Sequence, residues 1–206
     1  MRVAAPIGLG QSVLADIAAE FVSAHPGVQL DWQLVDDPGD LAREGFDLWI
    51  KVGPVRDEAL VVRKLWTIER IVVAVPDREI AFAHPSDLQD QPAIVLGPYV
   101  GSEIELSGSE DECYALSPSV RINTDNIFVA HRLTLQGHGY SILPLWLVEG
   151  DIANGALVHL SRGWSAPPLA LSVAYPEARY RPTRVTEFSR YLKDRLSADH
   201  RTHRLT

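Results

Sequence analysis

Two stretches of almost continuous apolar residues, about a hundred positions apart, end in the same way. The first covers residues 71–76 and is followed by Asp77, and the second covers residues 169–176 and is followed by Glu177. Apolar residues on both sides of the pleat are typical of a strand that is buried on both faces. The repeat therefore predicts two buried strands that lie side by side and carry the chain from one lobe to a second lobe and back.

Ahead of the first buried strand, short apolar runs alternate with helical patterns. Residues 12–24 have apolar positions three and four apart, which predicts a helix with one apolar face. A shorter helix is predicted from Pro38 to Gly45, with Asp37 as its N-cap. Strands that alternate with helices favour a parallel sheet. Three runs have the length of strands: residues 2–5, 28–35 and 46–52.

The segment between the two buried strands has its own helices and strands, and a last helix follows the second one. Residues 1–73 and 176–206 are accordingly predicted to form lobe I, and residues 74–175 to form lobe II. The expected class is α/β, with two α/β lobes joined by two crossover strands. The last helix is predicted to dock on lobe I through one apolar stripe: Val185, Phe188, Leu192 and Leu196.

Composition limits the functions that these residues can have. Of the 206 residues, 46% are hydrophobic, but no apolar run approaches the ~20 residues needed to span a bilayer, so no membrane partner is expected. The formal net charge of −8 argues against nucleic-acid binding by these residues themselves. A single cysteine excludes an internal disulfide, which favours a reducing compartment such as the cytoplasm.

A candidate binding edge lies at the carboxyl ends of the lobe I strands, where ligands of parallel sheets bind. Pro6–Gly10 is predicted to form a turn in which Gly8 and Gly10 are free to take positive φ, and the helix after Ser12 would direct free N–H groups at an anion. The same glycines could instead be needed only for the turn. Asp36 and Asp37 could select a ligand that carries hydrogen-bond donors, or they could only shape the turn in which they lie. The predicted ligand-binding residues here are Ile7, Gly8, Leu9, Gly10, Ser12, Asp36, Asp37, Val52 and Gly53.

Lobe II contributes a second candidate group, at the start of a helix predicted to end at Gln136. Its asparagines could reach a ligand or cap the helix, and one residue can do both. An aromatic ring at such a helix start could stack on a ligand, although an aromatic residue on a helix is more often part of the core. The residues are Asn123, Asp125, Asn126 and Phe128.

Enzymatic motifs are not found. Ser141 follows Gly137-His-Gly-Tyr, which is not the Gly-x-Ser-x-Gly pattern of a nucleophile elbow. The pair Gly8 and Gly10 lacks the third glycine of a dinucleotide fingerprint, and the seven histidines are scattered. We therefore expect no catalytic residue, no metal and no cofactor.

Five separated blocks resemble the effector-binding domain of LysR-type transcriptional regulators. The resemblance implies a type 2 periplasmic-binding-protein fold, an effector in the cleft between the lobes, and a side-by-side antiparallel homodimer. One departure is Ile7-Gly-Leu9, where many relatives have Ser or Thr. The blocks are Ala-Pro-Ile-Gly at 5–8, His-Pro-Gly-Val-Gln-Leu at 25–30, Asp-Leu-Ala-Arg-Glu-Gly-Phe-Asp-Leu-Trp-Ile at 40–50, Leu-Gln-Gly-His-Gly-Tyr-Ser-Ile-Leu-Pro-Leu-Trp-Leu at 135–147 and Pro-Pro-Leu-Ala-Leu-Ser-Val-Ala-Tyr-Pro at 167–176.

The function implied by the resemblance is that of an effector-sensing and dimerisation domain. It would bind a small metabolite, for which an organic acid is the candidate, and so modulate transcription. The family's N-terminal winged helix-turn-helix is not among these 206 residues, so DNA would be contacted only through that further part. The alternative is a stand-alone solute-binding protein of the same fold, against which the absence of a signal-peptide pattern argues.

Overall fold

The structure, a computed structural model, describes residues 1–76, 82, 84–97, 101–109, 112–160, 163–177 and 182–203, the last five as backbone only. Asp77, predicted to follow the first buried strand, lies outside these residues. The chain forms two compact units. Unit 1 comprises Met1–Thr67 and Ala170–Thr206, and unit 2 is the continuous segment Ile68–Leu169.

Both units contain helices and strands, which confirms the α/β class. A 3₁₀ turn at Pro85–Leu88 precedes β5. The elements are β1 (Arg2–Ala5), α1 (Ile7–Gly10), α2 (Val13–Ala24), β2 (Asp31–Leu34), β3 (Leu48–Val52), β4 (Leu60–Ala74), β5 (Pro92–Leu96), β6 (Ile104–Ser107), β7 (Cys113–Leu116), β8 (Ser119–Thr124), α3 (Ile127–Leu135), β9 (Ser141–Pro144), α4 (Leu145–Ala153), β10 (Val158–His159), β11 (Ala166–Pro176) and α5 (Thr183–His203).

The strands that carry the chain between the units are β4 and β11, and they are neighbours in the sheet, as the repeated apolar pattern predicts. In unit 1, β1 pairs in parallel with β2 on one side and with β3 on the other. Strand β11 pairs with β3 in the antiparallel direction. The carboxyl ends of β1, β2 and β3 therefore lie at one edge of the unit 1 sheet.

Helix α5 docks on α2, which completes the core of unit 1. All four residues of its predicted apolar stripe are buried. The rings of Phe188 on α5 and Phe21 on α2 have their centroids 4.9 Å apart, and Trp32 meets Phe188 edge-on at 6.4 Å. The periodicity of the sequence thus gave the correct face of this helix.

The prediction of a helix over residues 38–45 is wrong, because this segment forms turns. Gly39 has a φ of +68°, a left-handed conformation that cannot start an α-helix, and its N–H donates to the side chain of Asp37. The capping carboxylate is that of Asp40, which accepts from the N–H groups of Ala42 and Arg43. Asp37 therefore closes a local turn and caps no helix.

Unit 2 is built on parallel and antiparallel pairs. Strand β9 pairs with β4, β5 pairs in parallel with β8, and β6 and β7 form an antiparallel hairpin.

The side chain of Arg70 is buried and donates two hydrogen bonds, at 2.9 and 2.6 Å, to the carbonyl oxygen of Pro167. Because Pro167 and Pro168 have no N–H to donate, this guanidinium supplies donors where the β11 backbone has none.

Acidic and basic residues are distributed unequally between the units. Unit 1 has fourteen of each, whereas unit 2 has thirteen acidic and five basic residues. The whole formal net charge of −8 therefore belongs to unit 2. Small ions and charged ligands near unit 2 experience a negative potential, which attracts cations.

Candidate functional site

Residues 7–10, expected to form a glycine turn, form the single helical turn α1. Neither Gly8 nor Gly10 has a positive φ, so this conformational freedom of glycine is not used here. Gly10 lies in a closely packed position, because a Cβ atom there would lie 2.6 Å from Cδ2 of Leu34 and 3.0 Å from Cβ of Ala5. Leu9 and Gly10 are both buried, which leaves Ile7 and Gly8 as the more accessible residues of α1.

Ser12 precedes α2 but does not cap it with its side chain. Its hydroxyl donates to the carbonyl oxygen of Gly8 at 3.0 Å and, more weakly, to that of Leu9 at 3.4 Å. The N–H of Ser12 donates to the carbonyl of Leu9, and the N–H of Gly10 donates to the carbonyl of Pro6. The donors of Gly10 and Ser12 are therefore used within the segment, whereas the N–H groups of Gly8 and Leu9 have no hydrogen-bond partner among the described residues.

The side chain of Asp36 accepts a hydrogen bond from the first backbone N–H group of α1. Its Oδ1 accepts from the N–H of Ile7 at 3.2 Å, although the two residues are 29 positions apart. Lys51 Nζ donates to the main-chain carbonyl of Asp36 at 3.1 Å and lies over the ring of Trp49, 5.1 Å from its centroid. The structure thus brings Ile7, Asp36 and Lys51 together at the carboxyl edge of the unit 1 sheet.

The remaining predicted residues of this edge have local roles. Val52 ends β3 and is half-buried. Gly53 has a φ of +85°, and its N–H donates to the carbonyl of Ala170 at 2.8 Å. Lys51 was missed by the sequence analysis, although a basic residue directly before Val52 and Gly53 was the available signal.

In unit 2, Asn126 is the N-cap of α3. Its Oδ1 accepts from the N–H groups of Phe128 and Val129, at 2.9 and 3.2 Å. Phe128 is half-buried and meets Trp146 edge-on, with ring centroids 6.5 Å apart. Asn123 and Asp125 are exposed, so the polar residues of this group remain accessible.

The described residues include titratable side chains outside these two groups. Among them, no three His, Cys, Asp or Glu side chains are grouped for metal binding. His131 and Asp151 pair at 2.6 Å and join α3 to α4. The Tyr140 side chain is buried among apolar residues, and its hydroxyl has no hydrogen-bond partner in the described part of the chain. Burial raises the pKa of this hydroxyl, so it stays protonated. No helix in the described ranges has the length and apolar content required to cross a bilayer.

Comparison with known sequences gives consistent results along almost the whole chain. Residues 1–197 match the profile of the family described as the LysR substrate binding domain. The chain is 29% identical to the HTH-type transcriptional regulator PtxR of Pseudomonas aeruginosa, over 97% of this chain and 65% of that protein. It is 25% identical to the HTH-type transcriptional activator AaeR of Escherichia coli, over 90% of this chain and 61% of that protein. The chain thus spans about two thirds of the length of these relatives.

Comparison with solved structures gives the same fold. The full-length structure of the Vibrio cholerae virulence activator AphB has a TM-score of 0.81 at 22% identity, over 93% of this chain and 67% of that one. The effector domain of the transcriptional regulator AmpR of Pseudomonas aeruginosa has a TM-score of 0.79 at 19% identity, over 100% and 98% of the two chains. At these identities the similarity establishes the fold alone.

Proposed function

The chain belongs to the LysR substrate-binding-domain family, and from this membership we propose that it is the effector-sensing and dimerisation part of a LysR-type transcriptional regulator. The family match over residues 1–197 is the observation that carries the proposal. The relatives named above are transcriptional regulators, which are not enzymes. They give no support to the alternative of a stand-alone solute-binding protein.

The effector is proposed to bind in the cleft between lobe I, residues 1–73 with 176–206, and lobe II, residues 74–175. Support comes from the family and from the accessible polar residues of each unit by itself: Asp36 in unit 1, and Asn123 and Asn126 in unit 2. A small molecule that contacts one arrangement of the lobes better than another shifts the population toward it. DNA would be contacted through a further, N-terminal part of the regulator, and the place of action would be the cytoplasm.

Effector binding is tested by thermal unfolding of this chain in the presence of carboxylates, aromatic acids, amino acids, amines and sugars. A compound that binds only the folded state, present at 100 times its Kd, adds about 2.7 kcal/mol to the free energy of unfolding. This corresponds to an increase in Tm of roughly 5–10 °C for a chain of this size. A reproducible increase with one class of compound is the expected result.

The position of the bound compound is tested by Asn126→Asp. This change keeps an oxygen that can cap α3 but replaces the side-chain amide, so the binding-induced Tm shift should disappear while the fold is retained. Asn154→Asp is the matched control, because Asn154 also accepts a backbone N–H, that of Ala156, from an exposed position after α4. If both variants lose the binding-induced Tm shift to the same extent, or if neither variant loses it, a site at Asn126 is contradicted.

Self-association is the second part of the proposal. We expect this chain to sediment as a homodimer or a higher oligomer at micromolar concentrations, since homo-oligomers with two-fold symmetry are the commonest assemblies. Sedimentation velocity over a hundredfold range of concentration is the measurement. A single monomeric species at the highest concentration would contradict the proposed dimerisation, and would leave effector binding to be judged by the thermal shifts.

A further inference from the structure

We infer that the guanidinium of Arg70 fastens the first residues of β11 to β4, and that it thereby controls how readily the crossover opens locally. The inference goes beyond the proposed function, because it concerns a conformational property of the chain without any effector. It is carried by the positions of three prolines, by two hydrogen bonds and by the graded burial of β11.

The strands next to β4 have few backbone donors near Arg70. Pro144 of β9 lies opposite Arg70 in the antiparallel register. Strand β11 is another neighbour of β4, and its second and third residues are Pro167 and Pro168. Proline has no N–H group, so none of these three residues can donate a backbone hydrogen bond to the sheet. This level of the crossover is therefore poor in the bonds that usually hold strands together.

The side chain of Arg70 provides donors at this level. Its Nε and one terminal nitrogen both donate to the carbonyl oxygen of Pro167, at 2.9 and 2.6 Å, across 97 positions of sequence. The side chain is only 7% exposed, and the following residues of β4, 71–74, are buried as well. Hydrogen bonds from a charged donor are stronger than those between neutral groups. Arg70 therefore ties the start of β11 to a part of β4 that is itself firmly packed.

Burial along β11 shows where this tie is needed. Residues 171–175 are buried, and Leu171 to Ala174 pair with β3. Pro168, by contrast, is exposed, and Pro167, Leu169 and Ala170 are only half-buried. Segments with few buried apolar groups open at a lower free energy than the packed core. The first part of β11 thus depends on the hydrogen bonds of Arg70 more than the rest of the strand does.

A local opening at this point has a consequence for sensing. Strands β4 and β11 carry the chain between the two units, and changes of conformation are usually absorbed by a few residues at the ends of such elements. An effector shifts a conformational equilibrium by its differential affinity for the two states. If it acts through the crossover, the bonds of Arg70 contribute to the free energy that it must overcome. This consequence alone rests on the proposed function.

Amide hydrogen exchange of the unmodified chain, followed by NMR, is the first test. We expect the amides of Leu169 and Ala170 to exchange faster than those of Val173 and Ala174 in the same strand, because only the latter pair lies in the buried, β3-paired part. Equal or slower exchange at Leu169 and Ala170 would contradict a weak point at the start of β11.

Arg70 variants test the fastening itself. Arg70→Met keeps the apolar stem but has no donor, so exchange at Leu169 and Ala170 should become roughly tenfold faster or more. Arg70→Lys keeps the charge but replaces the planar fork by one ammonium group, and it should give a smaller increase. The matched control is Arg63→Met, the same change at an exposed position of β4, which should leave exchange within about twofold.

The amides of α2 and α3 separate local opening from general loss of stability. They should exchange at nearly unchanged rates in both Arg70 variants. If the rates at Leu169 and Ala170 stay within about twofold, or if α2 and α3 are accelerated to the same extent, Arg70 does not fasten the crossover. Should Arg70→Met fail to fold, Arg70→Lys is judged by the same criteria.

The outcome is independent of the effector experiments. Unchanged exchange in the Arg70 variants would overturn the fastening and leave the proposed sensor function standing. A thermal screen without any shift would count against effector binding and leave the role of Arg70 to be decided by exchange.

Discussion

Replacing Phe188 by alanine is expected to lower the free energy of unfolding by about 4 kcal/mol. Phe188 is fully buried between α5 and α2, where its ring contacts those of Phe21 and Trp32. The substitution removes an aromatic side chain and leaves a cavity. Because Phe21 and Trp32 are held by the helix and the strand that carry them, the cavity closes only in part.

The measurement is urea unfolding followed by circular dichroism, with Lys193→Ala as the control on the exposed face of α5. The control should change the free energy of unfolding by less than about 0.5 kcal/mol. Combining Phe188→Ala with Phe21→Ala should show a coupling of about 0.5–1.5 kcal/mol between the two rings. A loss below 1 kcal/mol for Phe188→Ala would contradict the docking of α5 on α2.

Gly139→Ala is expected to destabilise the protein by about 3 kcal/mol. A Cβ atom at position 139 would lie 2.4 Å from the carbonyl oxygen of Pro92 and 3.0 Å from its carbonyl carbon. The same oxygen accepts the N–H of Tyr140 at 3.0 Å, so the added methyl group would separate the chain from β5. Backbone atoms cannot move aside as a flexible side chain can.

Gly150→Ala provides the matched control in the same unit. Gly150 lies in α4 and is exposed, and apart from the backbone of its own helix and its chain neighbours no described atom lies within 4 Å of an added Cβ. Alanine should therefore stabilise the helix there by about 0.5–1 kcal/mol. Opposite signs for the two glycine substitutions in thermal unfolding are the expected result. A neutral Gly139→Ala would show that residues 139 and 92 are not in close contact.

Elements with a strong apolar period were predictable from the sequence. The stripe of α5 and the face of α2 that buries Leu14, Ile17 and Phe21 both follow the spacing of three and four. The crossover strands followed from two continuous apolar runs. In each case, few other secondary structures would bury the whole set of apolar residues.

Elements that depend on one backbone conformation were not predictable. Asp37, Pro38 and Gly45 satisfy the usual signals of a helix, but the positive φ of Gly39 interrupts it. Strand β7 was missed because Cys113–Leu116 is short and acquires strand structure only through pairing with β6. Pairing partners distant in sequence leave little trace in local composition.

The local structure of the candidate residues was predictable only in part. The carboxyl edge of the lobe I strands followed from topology, and the Asn126 cap followed from residue type. The hydrogen bond from Ile7 to Asp36 joins residues 29 positions apart, and no local pattern encodes it.

Unit 1 is made from the two ends of the chain, which has a consequence for folding during synthesis. Helix α2 is complete early, whereas Phe188 on α5 is added about 170 residues later. At ribosomal rates of 5–20 residues per second, α5 is synthesised roughly 10–30 s after α2, and during this time the apolar face of α2 is not covered by it. Unit 2 is one continuous segment and is fully synthesised within that interval. The nascent chain therefore exposes an uncovered helix face that a chaperone can bind until α5 has been synthesised.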